Sequence, residues 1–483
     1  MRTVQLMLIL CAIFTFSLSA SAAERPPNVV LVLVDDLGWT DLACFGSKYY
    51  ETPHLDKLAK QGMKFTDAYA ACAVCSPTRA AVMTGRYPAR TGITDWIRSR
   101  FQGGKIPANG KNPSGFVGGR NQPVLCPRNP LWLESEEITV AEALKPVGYT
   151  SCHIGKWHLG PDAWYPEKQG FDFNYGGCDY GQPPSYFDPY KNGRLKQGIP
   201  TLKPRKTGEY LTDREGDEAV KFITDHKDKP FFLYFANYAV HTPIQGRADL
   251  IAKYKKKPST NQKNATYAAM VHSVDVAVGK ITKVLDELKL ADNTLIIFTS
   301  DNGGLLGPTH NAPLRAGKGY PYEGGIRVPL IVRWPDVVKP GTLSREPVIS
   351  VDYLPTIMEA TGAKLPKDHE IDGMSLVAHL KADGKTKLDR EAIFWHFPHY
   401  RGRIGPYSMV RSGDWKLLRW WATDKAELYD LNSDLSEKTN LAASQPDRVK
   451  QLRGVLDAHL ARVGARLPKK NPAYASRTKK KKK

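Results

Sequence analysis

Val29-Val30-Leu31-Val32-Leu33-Val34, running straight into Asp35-Asp36, is the stretch that decides the kind of fold. Consecutive apolar residues, mostly β-branched and without polar alternation, read as a strand buried on both faces. Residues 231–235 (FFLYF) lead in the same way to His241-Thr242-Pro243. Residues 295–298 (LIIF) end near Asp301-Asn302, and 328–332 form a further candidate strand. Strands buried on both faces need helices on both sides, and helical periodicity lies between them. Over 270–288, Val271, Val274, Val278, Ile281, Leu285 and Leu288 recur at three- and four-residue steps. Segments 138–147 and 213–225 read likewise. Asp352 is expected to cap a helix with Pro355 in its first turn and Gly362 just past its end. The alternation predicts an α/β fold, with a large mixed, mainly parallel sheet sandwiched by helices and its site at the carboxyl ends of the strands. By that rule Asp35, Asp36, His241, Asp301 and Asn302 converge.

Outward from this core the texture changes. Residues 96–131 are rich in Gly, Pro, Asn and Arg without periodicity, and read as a long loop at the mouth of the site. Beyond about residue 380, short aromatic runs at 392–397, 415–421 and 427–431 predict a smaller C-terminal domain with an antiparallel sheet. The 483 residues exceed one ordinary core. The expected division is a signal peptide at 1–23, an α/β domain at 24–380, a smaller α+β domain at 381–466 and a basic disordered tail at 467–483. Arg2, an apolar run over 6–18 and Ala20-Ser21-Ala22 carry the export signal. That run is too short for a membrane span, which needs about 20 apolar residues, and no later stretch is long enough. Export to a periplasm, cell surface, medium or lysosome-like compartment is expected. The triplet Asn264-Ala265-Thr266 is compatible with it.

The net charge of +20 favours acidic partners, part of it from Lys469, Lys470 and the run 479–483. In an exported chain this points away from nucleic acid, leaving polyanionic substrates or plain solubility. Of seven cysteines, Cys11 leaves with the signal. Cys44, Cys72, Cys75, Cys126, Cys152 and Cys178 are scattered too widely to read as a disulfide scaffold.

Asp35, Asp36, Asp301 and Asn302 are hard oxygen donors at two strand ends. Either pair alone reads as a turn or cap, but together they suit Ca²⁺ or Mg²⁺ rather than zinc. Cys75-Ser76-Pro77-Thr78-Arg79 is a C-x-P-x-R sequence, continued by Ala80-Ala81-Val82-Met83-Thr84-Gly85-Arg86. A cysteine beside a helix start is ordinarily a small buried residue or a thiolate of low pKa.

This motif resembles the signature of the formylglycine-dependent (type I) sulfatases of the alkaline phosphatase superfamily. The likeness continues in order through Asp35-Asp36-Leu37-Gly38-Trp39, Gly155-Lys156-Trp157-His158-Leu159-Gly160 and His241-Thr242-Pro243. It goes on through Asp301-Asn302-Gly303-Gly304, Gly317-Lys318 and Glu323-Gly324-Gly325. Leu428-Tyr429-Asp430-Leu431 with Asn440-Leu441-Ala442 completes it. The resemblance implies that Cys75 is oxidised to formylglycine (3-oxoalanine) by a formylglycine-generating enzyme. It implies one Ca²⁺ held by Asp35, Asp36, Asp301, Asn302 and position 75. The implied reaction is hydrolysis of a sulfate monoester on a sulfated small molecule or carbohydrate, through a covalent sulfate–enzyme intermediate. Arg79, Lys156 and Lys318 are then the holders of the diol and sulfate, His158 the base, and His241 the acid toward the leaving oxygen.

At the rim, His310, Asn311 and Arg315 follow the metal pair, and His396, His399 and Arg401 mix cations with aromatics in the smaller domain. Each reads equally as packing or as a substrate contact. Two other functions stay open: a phosphonate or phosphate monoester hydrolase of the same superfamily, and a non-catalytic binder of polyanionic glycans. A binder has no use for the C-x-P-x-R cysteine.

Overall fold

The computed structural model describes residues 25–99, 102–203 and 207–474. The expected export segment and the lysine run 479–483 lie outside the described residues. The large sheet is built from β1 (Asn28–Val34), β2 (Met63–Phe65), β3 (Thr150–Gly155), β4 (Phe173–Tyr175), β5 (Phe231–Ala236), β6 (Thr294–Ser300), β7 (Leu330–Arg333) and β8 (Thr342–Ser344). Their spatial order is β8-β2-β7-β6-β1-β5-β3-β4. β1 pairs in parallel with β5 and β6, β3 with β5 and β4, and β2 with β8. Only β7 runs against its neighbours.

β1 explains the layering. Val30, Val32 and Val34 face α2 (Leu211–Asp225) and α3 (Ala265–Glu287), while Val29, Leu31 and Leu33 face α1 (Cys75–Thr84) and α4 (Tyr353–Thr361). Alternate side chains therefore enter two cores, and both are fully buried. Each such side chain contributes about 1.5–3 kcal/mol on leaving water. That demand on both faces is what the unbroken apolar run encodes.

Two local expectations change. Asp352 stands before α4 and Gly362 ends it in the left-handed region, but the Asp352 carboxylate does not cap that helix. It accepts from Ile349 N and Met374 N and takes both prongs of Arg390 at 2.8 Å. The basic end is also ordered further than the tail reading allowed. Lys469–Lys470 pairs with Val124 and Leu125, extending a small sheet of Phe116–Val117 and Val124–Pro127 inside the 96–131 loop. Asn471 is buried behind it and donates to Gly119 O and Gln122 O. Asn264 serves as the N-cap of α3, its side-chain oxygen accepting from Thr266 N and Tyr267 N. All six described cysteines are free.

The second sheet is antiparallel, in the order β9 (Ile393–Phe397), β10 (Tyr407–Ser412), β11 (Trp415–Trp420), β12 (Ala426–Asp430). α5 (Pro446–Arg462) covers one face of it. The other face packs on the segment leading to Cys75: Trp395 donates to Ala70 O, and Tyr69, Ala71, Ala73 and Val74 share a core with Ile393, Phe397 and Met409. A buried charge network welds the seam. Arg411 meets Asp67 and the Tyr69 hydroxyl, and Lys416 lies between Glu323 and Glu437 at 3.0 and 2.8 Å.

Candidate active site

The carboxyl ends of β1, β3, β5 and β6 open on one edge of the sheet, and α1 aims its first residue there. All ten residues of α1 are buried. Its start is tied down from three sides. Thr78 Oγ1 bonds Cys72 N and O, Ser76 Oγ donates to His158 O, and Ile97 N donates to Ser76 Oγ. Cys75 is thereby held rigidly.

Successive strand residues ordinarily point to opposite faces. Asp36 escapes this because its φ of 62° lies in the left-handed region, so both carboxylates reach one cluster. Ligand atoms of Asp35, Asp36, Cys75 and His241 lie within 4.8 Å of one another. Cations enclose them. Lys156 Nζ is 2.6 Å from Asp35, and Lys318 Nζ is 2.6 Å from Asp36. Arg79, fully buried, bonds Asp301 through Nε at 2.9 Å and a terminal nitrogen at 2.8 Å, and donates to Lys156 O. Asp301 also accepts from Asp36 N.

Asp35 Oδ1 and Asn302 Oδ1 are buried and lack a hydrogen-bond partner. Such orphaned acceptors cost about 1–3 kcal/mol each. These two, with the Asp36 and Asp301 carboxylates beside them, fit a hard divalent cation ligated by oxygen. Burial raises the Asp35 carboxyl well above its usual range, and the Asp301 charge adds to this. Burial works the same way on Asp36, but Lys318 and then His241 outweigh it and hold the carboxyl low. Burial likewise opposes ionisation of Cys75, yet Lys156, Lys318 and the two imidazoles keep the thiol well below its ordinary value.

The histidines are poised differently. His158 Nε2 lies 2.7 Å from Ile97 O. A carbonyl only accepts, so Nε2 carries the proton and Nδ1, buried, keeps its lone pair toward Cys75. Burial pushes this imidazole down to about 4, so it is neutral at pH 7. His241 Nδ1 is bound to Thr242 O at 2.9 Å, leaving Nε2 toward the cluster, 3.6 Å from Asp36.

A family model described as Sulfatase matches residues 27–363, and one described as N-sulphoglucosamine sulphohydrolase, C-terminal, matches 317–465. The chain belongs to the sulfatase family. A sulfatase of Formosa agariphila is 35% identical over 91% of this chain and 89% of its own. The N-acetylgalactosamine-6-sulfatase of Mus musculus is 33% identical over 91% and 80%. The solved structure of Ps i-CgsB in complex with k-i-k-neocarrahexaose superposes with a TM-score of 0.76 at 30% identity, covering 95% of this chain and 96% of that one. The protein is thus a sulfuric ester hydrolase of the alkaline phosphatase superfamily, and its motif residues from Asp35 to Lys318 fall inside the first matched region.

The sulfatase cluster opens into a cavity of about 440 Å³ lined by Val74, Cys75, Trp96, Gln102, His158, Gly181, Gln182, His241, Lys318 and Arg401. Of the rim residues singled out in the sequence, only Arg401 is there. A Cβ at Gly319 would come within 2.5 Å of its Nε, so the glycine after Lys318 gives the guanidinium its berth. Arg315 stacks on Tyr322 and donates to Tyr429 and Glu437 in the domain seam. Asn311 is buried on Gly304 O and Ala316 O, and His310 is exposed with its ring accepting from Ala312 N. His396 is buried on Ser408 and Arg466 O, and His399 on Thr94. These five have structural partners. Trp96, Gln102 and Gln182 were missed, since they lie in aperiodic segments where the only signal is a tryptophan among glycines and prolines.

Behind the site, Glu215 of α2 braces the end of β5, accepting from Asn237 Nδ2 at 2.9 Å and Tyr238 N at 3.3 Å. Burial pushes its carboxyl up from 4.5 to about 8. Between those values the folded chain keeps a proton that the unfolded chain has lost, so this group's contribution to stability falls as pH rises through the window. Glu215→Gln is neutral throughout. Its stability relative to wild type is expected to rise from pH 5 to pH 8.5, by on the order of 4 kcal/mol at most. Thermal unfolding at the two pH values checks this, and an unchanged gap would refute it.

Proposed function

We propose that this sulfatase hydrolyses a sulfate monoester on a sulfated carbohydrate, with Cys75 converted to formylglycine and one Ca²⁺ in the acidic cluster. The observation that carries the reading is Cys75 at the head of a buried helix, beside Asp35, Asp36 and His241. The hydrated aldehyde supplies two hydroxyls on one carbon, one to attack sulfur and one to let sulfate leave. Ca²⁺, which Asp35, Asp36, Asp301 and Asn302 would hold, would supply positive charge beside the sulfate and favour ionisation of a neighbouring hydroxyl.

The chain's own side chains do the rest. His158 Nδ1, neutral and bare, takes the proton of the second hydroxyl. His241 keeps one proton on Nδ1 against Thr242 O, which aims Nε2 at the leaving oxygen, and in its imidazolium form it delivers the Nε2 proton there. Lys156 and Lys318 hold the anionic sulfate where charge shifts, and Arg79 fixes Asp301 and the Lys156 backbone. Since Cys75 is only 4% exposed, its conversion by a formylglycine-generating enzyme must precede closure of the fold.

A carbohydrate substrate is supported by the names of the relatives, by the charge of +20 and by Trp96 and Arg401 on the rim. The division near residue 380 and export of the chain belong to the same proposal. Among the described residues no helix is long and apolar enough to cross a membrane. Matured protein is expected to hydrolyse 4-nitrophenyl sulfate faster than 4-nitrophenyl phosphate at equal concentration with Ca²⁺ present. A large phosphate preference would move it to the phosphate and phosphonate hydrolases. Glycan binding without turnover would make it a binder.

A further inference from the structure

We propose that a basic groove beside the catalytic pocket is a second anion subsite, so that the enzyme takes an oligosaccharide bearing more than one sulfate. This rests on the sulfatase reading and adds the form of the substrate. A separate cavity of about 390 Å³ is lined by Trp96, Arg98, Lys105, Arg128, Asn129 and His399 among others. Trp96 also lines the catalytic cavity, so one indole is the wall common to both. A saccharide crossing that wall meets an aromatic face, with cations on either side of it.

No cation of the groove is held by an ion pair with a described carboxylate, and Arg98 lies over the Trp96 ring, 5.6 Å from its centroid. Arg98, Lys105 and Arg128 are exposed. Arg120, Arg194, Arg345 and Arg403 are also exposed without an ion pair among the described residues, so what sets these three cations apart is that they line one cavity. The one acid in the lining, Asp95, spends an oxygen on Trp96 N at 2.9 Å.

The floor is built rather than loose. Asn129 accepts from Thr94 N and Asp95 N and donates to Asp95 O and Pro130 O, stapling the two chain segments together. His399 bonds Thr94 Oγ1 at 2.7 Å, and Arg466 holds Arg128 O. The fixed floor spares the backbone from being ordered on binding, and each long cationic side chain that closes on the anion costs about 0.5–1.5 kcal/mol.

The test compares wild type with Arg98→Ala/Arg128→Ala. 4-Nitrophenyl sulfate is the reporter substrate. Neocarrahexaose and a chondroitin 6-sulfate hexasaccharide are the competitors, with N-acetylgalactosamine 6-sulfate and a desulfated hexasaccharide as controls. Both proteins should turn over the reporter with the same kcat/KM. The inhibition constant of the better hexasaccharide should rise about tenfold or more in the variant, while that of the monosaccharide stays put and the desulfated sugar does not compete. Equal hexasaccharide constants, or no inhibition by either hexasaccharide while the reporter is hydrolysed, would overturn the subsite and leave the sulfatase reading standing. If the reporter is not hydrolysed at all, that reading fails instead. The subsite is then judged by titrating Cys75→Ala protein with each hexasaccharide, where tighter binding than in a Cys75→Ala/Arg98→Ala/Arg128→Ala protein supports it and equal binding refutes it.

Discussion

Cys75→Ala, produced beside the maturation machinery, is expected to lose turnover of 4-nitrophenyl sulfate by about 10⁴-fold or more while keeping its fold. The substitution removes only the small functional group of the first side chain of α1, whose position is set by Ser76, Thr78 and the packing of Val74, none of which changes. Unfolding midpoints should therefore stay close to wild type. Lys156, Lys318 and Arg401 remain around the cavity, so the variant should still bind sulfated ligands. Loss of kcat with binding retained is the signature of a missing nucleophile. Equal loss of binding and turnover would mean that the helix start had moved.

The second large effect concerns the cation. Asp36→Asn keeps the shape of the side chain and removes one charge from a cluster that also contains Asp35 and Asp301. Lys318 and His241 then lose the carboxylate that holds them, and the cation loses a ligand. Turnover is expected to fall roughly 10²–10³-fold, as when one electrostatic contact to a developing charge is removed. Stability offers a readout independent of catalysis. If, as proposed, Ca²⁺ binds the folded site alone, Ca²⁺ at a hundred times Kd should stabilise wild type by about 2.7 kcal/mol. That increment should vanish in Asp36→Asn and in chelator-treated wild type. A calcium-independent midpoint in wild type would remove the cation from the account.

The long-range frame could be read from the chain because β1 is buried on both faces and must be apolar throughout. Asp35-Asp36 and Asp301-Asn302 are then carried to one edge by the parallel pairing of β1 and β6. β10 escaped notice because YSMVRS mixes polar and apolar residues: Tyr407 and Met409 face the domain seam, Val410 faces α5, and Arg411 is buried on charge partners. Asp352 looked like a cap because local spacing cannot reveal Arg390, which is distant in sequence. The side chains proposed as catalytic follow strand ends and short motifs, so their convergence is local information summed by topology. The rim obeys no such rule. Trp96 and Gln182 reach the cavity from irregular segments whose course depends on contacts such as Asn129 to Thr94. His396 looked like a ligand contact, yet its bond to Ser408 turns it inward, and His399, tied to Thr94, lines the neighbouring groove and not the catalytic cavity.

The claim on which the rest depends is the chemical state of position 75. Active protein, purified from a host able to mature it, should be digested and the peptide spanning Cys75 analysed by intact mass and fragmentation. An aldehyde in place of the thiol, in a fraction that tracks specific activity across preparations, is the predicted result. Fully active protein in which every copy of that peptide still carries a free thiol would contradict it.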